Sequence, residues 1–284
     1  MFESDYKPLR RAYGFDEVAL VPGDVTINPD LVDTKLTIRD QVWDIPIMAS
    51  AMDAVVDPKF AAALHRHGGL AVMNLEGVQT RYEDPDSILK EIAEAPDDKV
   101  TVLLQKFYSE PMKEHLVQQR VREIKEAGAF CAVSITPANT KRLAPMCVAA
   151  GADAIVVQST VTTARHHSKS IQGLSFTELM KLVSVPVIVG NAVGYNATIE
   201  LMQTGIDAVL VGVGPGAACT SREVLGIGVP QITATIDCAA ARDAYQKASG
   251  RYVPIVSDGG IRTGGDLCKA FAAGADGVCE EGVR

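Results

Sequence analysis

The sequence has few cationic side chains for its length and no arrangement of cysteine or histidine that predicts a metal site. Lys and Arg number 27 among 284 residues against 35 Asp and Glu, so the formal net charge is −8. This balance argues against broad binding to nucleic acid, whose protein partners carry basic faces. None of the six cysteines forms a Cys-x-x-Cys pair, and the five histidines do not cluster with them at ligand spacing.

Long apolar runs are also missing. No run reaches the roughly 18 to 20 residues that a membrane span needs, and the polar N-terminus has no apolar core of a signal peptide. Four of the cysteines stand in apolar or Ala-rich surroundings and are predicted to be buried, namely Cys131, Cys147, Cys238 and Cys268. We therefore expect a cytoplasmic, reduced protein that binds neither membrane nor nucleic acid.

What the sequence does contain is a repeated phrase in which a glycine follows a helical stretch and a short apolar run follows the glycine. Glycine just after a helix adopts the left-handed conformation that ends it. An apolar run without alternation is typical of a strand buried on both faces. Helix, glycine and buried strand in repetition predict a parallel sheet with crossover helices. Copies of the phrase occupy residues 127–129, 150–153, 204–207 and 273–276.

Eight such strands predict an α/β protein with a (β/α)8 TIM barrel. They are placed at 46–50, 70–73, 131–135, 155–158, 187–190, 209–213, 254–257 and 275–278, with helices at 58–67, 114–127, 140–150, 175–183, 196–204 and 265–273. A doubly wound open sheet is the alternative, and the lack of a GxGxxG phrase after an early strand disfavours it. We predict one barrel domain over residues 1–284. Residues 1–45 form an extension that covers the barrel's bottom or a neighbour, and residues 83–98 form a surface excursion.

In such a barrel the residues that follow each strand build the active face. The glycine-rich loop from Gly212 to Arg222 lets the backbone approach a ligand, and carbonyls that face one point can hold a hard cation. Cys219 lies in this loop, and the following helical turn with Arg222 would favour its thiolate. The alternative interpretation is a tight turn with a buried cysteine.

Two further segments place polar groups at the same end of the barrel. Asp258 ends a predicted strand and suits a sugar diol, while the N–H groups of Gly259 and Gly260 suit a phosphate; turn glycines alone are the alternative. Ser50 and Met52 share a direction as another strand ends, where Met52 could pack on a flat base. Core packing is the alternative for this pair.

These segments resemble the IMP dehydrogenase/GMP reductase family, and in particular a smaller bacterial branch without the regulatory CBS module. The matching pieces are Ser-Ala-Met-Asp at 50–53, Asn-Leu-Glu-Gly at 74–77, Gly-Asn at 190–191, the loop at 214–222, 226–231, 257–262, and the phrase at 10–17. The Gly-Pro-Gly-x-x-Cys-Thr loop is highly specific. Asp-Gly-Gly-Ile-Arg is less so, because FMN-binding barrels share it.

The resemblance implies that Cys219 attacks C2 of IMP, that hydride passes from C2 to NAD, and that water releases XMP for guanine nucleotide synthesis. It also implies a K⁺ ion on the carbonyls of Gly214, Gly216 and Cys219. The other implied site residues are Ser50 and Met52 beside the nucleotide, Asn191 near the reacting carbon and the cofactor, Asp258 on the ribose, Gly259 and Gly260 on the phosphate, and Gln158 and Ser159 on the cofactor. Ala217 stands where the family has a phosphate-contacting Ser, Ser221 where a catalytic Thr is usual, and Gln158 where an Asp is usual.

Side details favour the dehydrogenase over the reductase. Ile261-Arg262 and the Gly-Val-Pro-Gln phrase at 228–231 resemble the dehydrogenase, whereas the missing CBS module between Leu75 and Cys131 resembles the reductase. We predict an NAD-dependent IMP dehydrogenase that forms a homotetramer or octamer. The alternatives are an NADPH-dependent GMP reductase, an FMN-binding barrel oxidoreductase, or a silent nucleotide-binding paralogue.

The resemblance also implies an active-site flap and a last helix beyond the eighth strand. Residues 279–284 do not continue into the family's Gly-Ser phosphate loop. We expect that the flap and helix are not in these 284 residues and that residues 279–284 join across a gap. An intact mass of about 30 kDa for the whole protein would contradict this expectation.

Overall fold

The computed structural model describes residues 9–167, 173–217 and 219–280, and eight parallel strands in it close into a barrel. A two-stranded hairpin precedes the barrel. The hairpin strands are β1 (Leu36–Ile38) and β2 (Gln41–Trp43), and the barrel strands are β3 (Ile47–Ala49), β4 (Leu70–Asn74), β5 (Ala132–Ile135), β6 (Ala154–Gln158), β7 (Val187–Ala192), β8 (Ala208–Val211), β9 (Ile255–Asp258) and β10 (Gly277–Glu280). All eight predicted strands are confirmed, with bounds that differ by one or two residues at most. The chain is a (β/α)8 TIM barrel.

The helices pack around the barrel in chain order. They are α1 (Pro58–Arg66), α2 (Pro85–Ala93), α3 (Asp97–Ser109), α4 (Glu114–Glu126), α5 (Pro137–Ala150), α6 (Phe176–Leu182), α7 (Tyr195–Gln203), α8 (Ser221–Val224), α9 (Gln231–Ser249) and α10 (Gly264–Ala272). The six predicted helices correspond to α1, α4, α5, α6, α7 and α10. Within the described residues, none of these helices is both long and apolar enough to cross a membrane.

The repeated glycines end helices as predicted. Gly151 caps α5 in the left-handed region with φ 107°, and Gly274 follows α10 with φ 102°. At Gly274 an added Cβ would also lie 2.6 Å from the Cβ of Ala239 on α9. The glycine therefore serves both the turn and the close packing of α10 on α9.

The bottom of the barrel interior is apolar and is closed by the hairpin. Leu36, Ile38 and Trp43 are buried in one cluster with the first inward residues of the strands, such as Leu70 on β4. The Trp43 ring meets Phe130 edge to face, with centroids 5.1 Å apart. Residues 36–43 of the extension therefore cover the bottom of the barrel.

One cysteine prediction is wrong. Cys131, Cys147 and Cys238 are buried, and burial raises the pKa of these thiols to about 12, 12 and 11. Cys268 is exposed. On α10 the buried positions Asp266 and Ala270 flank it two residues away on each side, which turns Cys268 to the outer face of the helix.

The end of the described chain completes the barrel. Cys279 and Glu280 belong to β10, where Glu280 is in register with Ala49 of β3. Residues 281–284 lie outside the described part of the chain. The prediction that residues 279–284 join across a gap therefore stays a prediction.

Candidate functional site

The barrel interior is apolar at the bottom and becomes polar at the carboxyl ends of the strands. Along β6 the inward residues are Ala154, Val156 and then Gln158, because side chains alternate between the two faces of a strand. On β9 the inward Val256 is followed in the same way by Asp258. Polar groups therefore gather at the one end of the barrel that the hairpin leaves open, as the sequence predicted.

Asp258 lies at the centre of this polar layer. Its side chain is buried, and Oδ2 accepts hydrogen bonds from Asn191 Nδ2 at 2.6 Å and from Gln158 Nε2 at 3.2 Å. Gln158 also donates to Asn191 Oδ1 at 2.9 Å, so the three side chains form one network. Burial raises the pKa of Asp258, and the hydrogen bond from Asn191 opposes that rise.

Cys279 lies beside Asp258, and sequence reasoning gave it no role. The two residues are in register on β10 and β9, and a hydrogen bond from the thiol favours the ionised form of Asp258. Ser50 Oγ lies 3.2 Å from Cys279 Sγ. Burial raises the pKa of Cys279 far above its usual range, which keeps the sulfur protonated and able to donate. The pairing of the last two strands could have revealed this neighbour, because the predicted barrel places them side by side.

The glycine-rich loop crosses the end of β9 at very short range. Gly212 has φ 151°, and an added Cβ would lie 2.3 Å from the main-chain oxygen of Asp258. Only glycine allows this approach. The loop therefore carries its later residues over the polar layer around Asp258.

Cys219 is exposed at the mouth of the barrel, which contradicts the alternative of a buried cysteine in a turn. Its N–H donates to Gly216 O at 3.2 Å, and its thiol donates to Ser221 Oγ at 3.3 Å. The predicted helical turn is present as α8. Arg222 is turned away, however, because its guanidinium donates to Val229 O at 2.8 Å. The expected support for the thiolate from Arg222 is therefore not seen among the described residues, and Ser221 is the neighbour of the sulfur.

Two cavities open at this mouth, and Pro215 lines both of them. The smaller, of about 300 Å³, contains most of the predicted site. It brings together Gln158, Ser159, Asn191, Gly214, Gly216, Cys219, Asp258 and Gly259. The larger, of about 620 Å³, contains the predicted phosphate residues Ala217 and Gly260. Ser50, Met52 and Ser221 do not line these two cavities, although Ser50 and Ser221 contact residues that lie beside them.

The larger cavity includes a part of the N-terminal extension, which was expected to cover the barrel's bottom or a neighbour. Residues 14–17 line it, and they are held by Lys269 Nζ, which donates to Phe15 O at 2.8 Å, and by an ion pair between Arg262 and Asp16. Phe15 is buried in a cluster with Ile261 and residues of α10. The extension thus packs at both ends of the barrel. Residues 36–43 cover the bottom, and Phe15 packs in an apolar cluster near the mouth.

Main-chain oxygens are the groups that could hold a cation in the loop. In the described part of the chain, no three His, Cys, Asp or Glu side chains come together as a metal site. The carbonyls of Gly214, Gly216 and Cys219 belong to a tight loop of the kind that can surround a monovalent ion. The Gly216 carbonyl already accepts from Cys219 N–H and keeps a second lone pair for a cation.

Comparison with known proteins gives a consistent result. The model of the IMP dehydrogenase / GMP reductase domain matches residues 12–280. An uncharacterised oxidoreductase of Mycolicibacterium smegmatis is 37% identical over 276 residues, which cover 95% of this chain and 74% of that protein. An inosine-5′-monophosphate dehydrogenase of Cryptosporidium parvum is 33% identical over 292 residues, covering 96% and 67%. The crystal structure of an IMP dehydrogenase/GMP reductase-like protein from Corynebacterium glutamicum superposes with a TM-score of 0.89 at 33% identity, covering 95% and 72%.

Proposed function

The chain belongs to the IMP dehydrogenase/GMP reductase family of oxidoreductases, and on that premise we propose that it oxidises IMP to XMP with NAD. The observation that carries the proposal is the composition of the smaller cavity. One exposed thiol, on Cys219, faces the same space as the buried carboxylate Asp258 and the amide of Asn191. A nucleophile and an acceptor for sugar hydroxyls in one cavity suit a nucleotide whose base is attacked.

The chemistry begins at the sulfur. Sγ of Cys219 adds to C2 of the purine, the π electrons of the C2=N3 bond go to N3, and N3 takes up the thiol proton. C2 is then tetrahedral and able to release hydride. The hydride leaves with its electron pair to the nicotinamide ring, which supplies the acceptor when the dinucleotide is bound. As hydride leaves, N3 releases its proton and the C2=N3 bond re-forms as a thioimidate. Water then attacks C2, the C–S bond breaks, XMP is released, and a proton from the water regenerates the thiol.

The other residues bind and orient the nucleotide. Asp258 accepts from the ribose hydroxyls, while Asn191 and Gln158 hold its carboxylate in place. The N–H of Gly260 meets the phosphate in the larger cavity, whereas the predicted phosphate role of the Gly259 N–H is wrong, because it donates to Cys279 O at 3.1 Å. Ser159 and Gln158 line the same cavity as Cys219, and this proximity supports the proposal that they contact the dinucleotide. Ser221 accepts from the thiol in the resting state and keeps it at the mouth.

Two spectrophotometric assays run in parallel test the proposal. With IMP and NAD, absorbance of reduced nicotinamide should rise, and XMP should appear in equal amount. If GMP instead consumes NADPH, the reductase alternative is correct. A yellow protein with tightly bound flavin would support the FMN barrel, and IMP binding without turnover would support a silent paralogue.

We expect K⁺ to activate the enzyme, because the family resemblance implies a cation on the carbonyls of Gly214, Gly216 and Cys219, and Gly216 O keeps a lone pair for it. A bound ion would hold that loop in one conformation and so position the sulfur. Initial rates should rise several-fold when K⁺ replaces N-methylglucamine at constant ionic strength. Equal rates in the two salts would contradict the cation site.

We also expect the homotetramer or octamer that the family resemblance implies, and apolar side chains exposed on part of the extension support association of the chains. Val21, Val25 and Leu31 are 89%, 80% and 70% exposed, and an unpaired chain would leave this surface in water. Light scattering coupled to size exclusion should give a mass of four or eight chains. A monomer at micromolar concentration would contradict the expectation.

A further inference from the structure

Strand β7 departs from regular pairing at the two residues that end in Asn191. It is in register with β8 up to Val189 and again at Ala192, and the register shifts between them. Gly190 and Asn191 therefore oppose Leu210 alone, which is the arrangement of a β-bulge. Gly190 suits this bulge, because an added Cβ would lie 2.4 Å from the Cβ of Leu210.

The bulge changes the direction in which the side chain of Asn191 points. Ile188 belongs to the apolar cluster of the barrel interior, whereas Val189 belongs to the cluster between the strands and the helices. Regular alternation would therefore turn residue 191 toward the helices. Asn191 Nδ2 instead donates to Asp258 Oδ2 at 2.6 Å, inside the mouth. Whatever holds the bulge thus also sets the position of this amide.

The main chain of the bulge is held by the turn that follows β6. Ser159 N–H donates to Gly190 O, and Asn191 N–H donates to Ser159 O, each at 3.0 Å. Thr162 adds two bonds, since its N–H donates to Asn191 O at 2.8 Å and its hydroxyl donates to Gly190 O at 2.6 Å. These four bonds pair the carbonyl of Gly190 and both main-chain groups of Asn191. The turn therefore fixes the bulge from the side of β6.

The side chain of Thr162 lies behind the site rather than in it. Thr162 is 4% exposed, although Val161 beside it is 46% exposed. It does not line the cavity that contains Cys219, whereas Ser159 does. Its hydroxyl oxygen contacts Gly190 O and lies 2.9 Å from Ser159 Oγ. Removal of this hydroxyl therefore reaches a nucleotide in the cavity only through the bulge and Ser159.

We propose that Thr162 is a positioning residue for recognition of the ribose. Its hydroxyl holds the bulge in the conformation that lets Asn191 donate to Asp258, and the carboxylate so oriented accepts from the 2′ and 3′ hydroxyls of the nucleotide. Polar groups that are held in place before binding lose less free energy to ordering when the ligand arrives. The inference rests on the proposed function for the identity of the nucleotide, and it concerns binding rather than the reaction at the sulfur.

Equilibrium titrations with IMP and with 2′,3′-dideoxy-IMP, which lacks both hydroxyls, test the proposal. The ratio of the dissociation constant of the dideoxy nucleotide to that of IMP measures recognition of the ribose. Thr162→Val keeps the shape of the side chain and removes the hydroxyl. It should lower the ratio about five- to tenfold, which corresponds to the loss of about one net hydrogen bond. Thr162→Ser keeps the hydroxyl and should leave the ratio within about twofold of the wild type.

Two further variants separate positioning from stability. Thr140→Val removes a hydroxyl from a fully buried position on α5, where Thr140 Oγ1 donates to Thr136 O at 2.8 Å. It should lower the melting temperature, as Thr162→Val does, and leave the ratio unchanged. In the Asn191→Ala background, Thr162→Val should have no further effect on the ratio, because the amide that it positions is gone.

The proposal is overturned by equal binding of the two nucleotides to the wild type, by an unchanged ratio in Thr162→Val, or by a loss that Thr162→Ser shares. An undiminished effect in the Asn191→Ala background also overturns it. If Thr162→Val does not fold, Thr162→Ala takes its place in the same titrations. Failure of the proposed function looks different, since the wild type would then prefer IMP to its dideoxy form without producing XMP.

Discussion

Replacement of Cys219 by alanine is expected to lower turnover of IMP by at least about 10³-fold and to leave nucleotide binding nearly unchanged. The sulfur supplies the bond that converts C2 into a hydride donor, and no neighbouring group of the described site can replace it. Binding should persist because the hydrogen-bonding groups around Asp258 do not include Cys219. Steady-state rates and equilibrium titration with IMP measure the two effects separately.

Cys268→Ala is the matched control. Among the described cysteines, Cys219 and Cys268 are the exposed ones, and Cys268 lies on the outer face of α10. Alanine there should leave turnover within about twofold. A 6-chloropurine nucleotide, which alkylates an attacking thiol, should label Cys219 and give one adduct per chain by mass spectrometry. Label on a different residue, or turnover retained in Cys219→Ala, would refute covalent catalysis.

The selectivity of that label follows from the environments of the sulfurs. Burial raises the pKa of Cys131, Cys147, Cys238 and Cys279. At neutral pH these sulfurs are protonated and enclosed, so they neither attack nor react with an alkylating nucleotide. Cys279 also lies near the site, but it is buried whereas Cys219 is exposed. A comparison of labelling at these two cysteines therefore tests the effect of exposure.

Several strands could be predicted because an apolar run follows a helix-ending glycine and precedes polar residues. Gly274 followed by β10 is one such case, and Gly151 followed by β6 is another. Helix α9 was not predicted from the sequence. Its first half is buried around most of its circumference, including Thr233, Thr235 and Cys238, so the sequence shows no single apolar face.

The sequence predicted which residues belong to the site, but it did not predict the hydrogen bonds between them. Motifs identify Asp258 and Asn191 as polar groups that follow strands, whereas their hydrogen bond depends on barrel closure and on rotamers. The orientation of Arg222 could not be anticipated either. Arg222 follows Cys219 by three residues in the sequence, yet its guanidinium donates a hydrogen bond to Val229 O. Separation in sequence does not fix where a side chain points in a glycine-rich loop, because each glycine can adopt positive or negative φ.

Asp258→Asn is expected to lower kcat/KM for IMP by about 10²- to 10⁴-fold. The amide can still accept from Asn191 and Gln158 through one oxygen, but it loses the second acceptor that the ribose hydroxyls need. Each hydrogen bond to a charged group contributes about 1.5 to 3 kcal/mol, and two of them give the stated range. With 2′,3′-dideoxy-IMP, which lacks both hydroxyls, the variant and the wild type should differ by less than about tenfold.

The same substitution should raise thermal stability at neutral pH. Burial raises the pKa of Asp258 above its unfolded value of 3.8, so the folded chain binds this proton more tightly than the unfolded chain. The ionised carboxylate consequently destabilises the fold, and this penalty appears as the pH rises from 3.8 through the raised pKa. Melting temperatures of Asp258→Asn and the wild type should therefore diverge with rising pH and converge toward pH 3.8.

Asp276→Asn serves as the control for a carboxylate that supports the fold instead. Asp276 precedes β10 at the bottom of the barrel, where Oδ2 accepts from Arg242 Nη1 and from Ile255 N–H, each at 2.8 Å. Its loss should lower the melting temperature and leave the ratio of kcat/KM for IMP and its dideoxy analogue unchanged. If Asp258→Asn behaves like Asp276→Asn, then Asp258 is a structural carboxylate. A more stable but less selective enzyme instead identifies Asp258 as a group that the fold keeps charged, at a cost in stability, in order to bind the ribose.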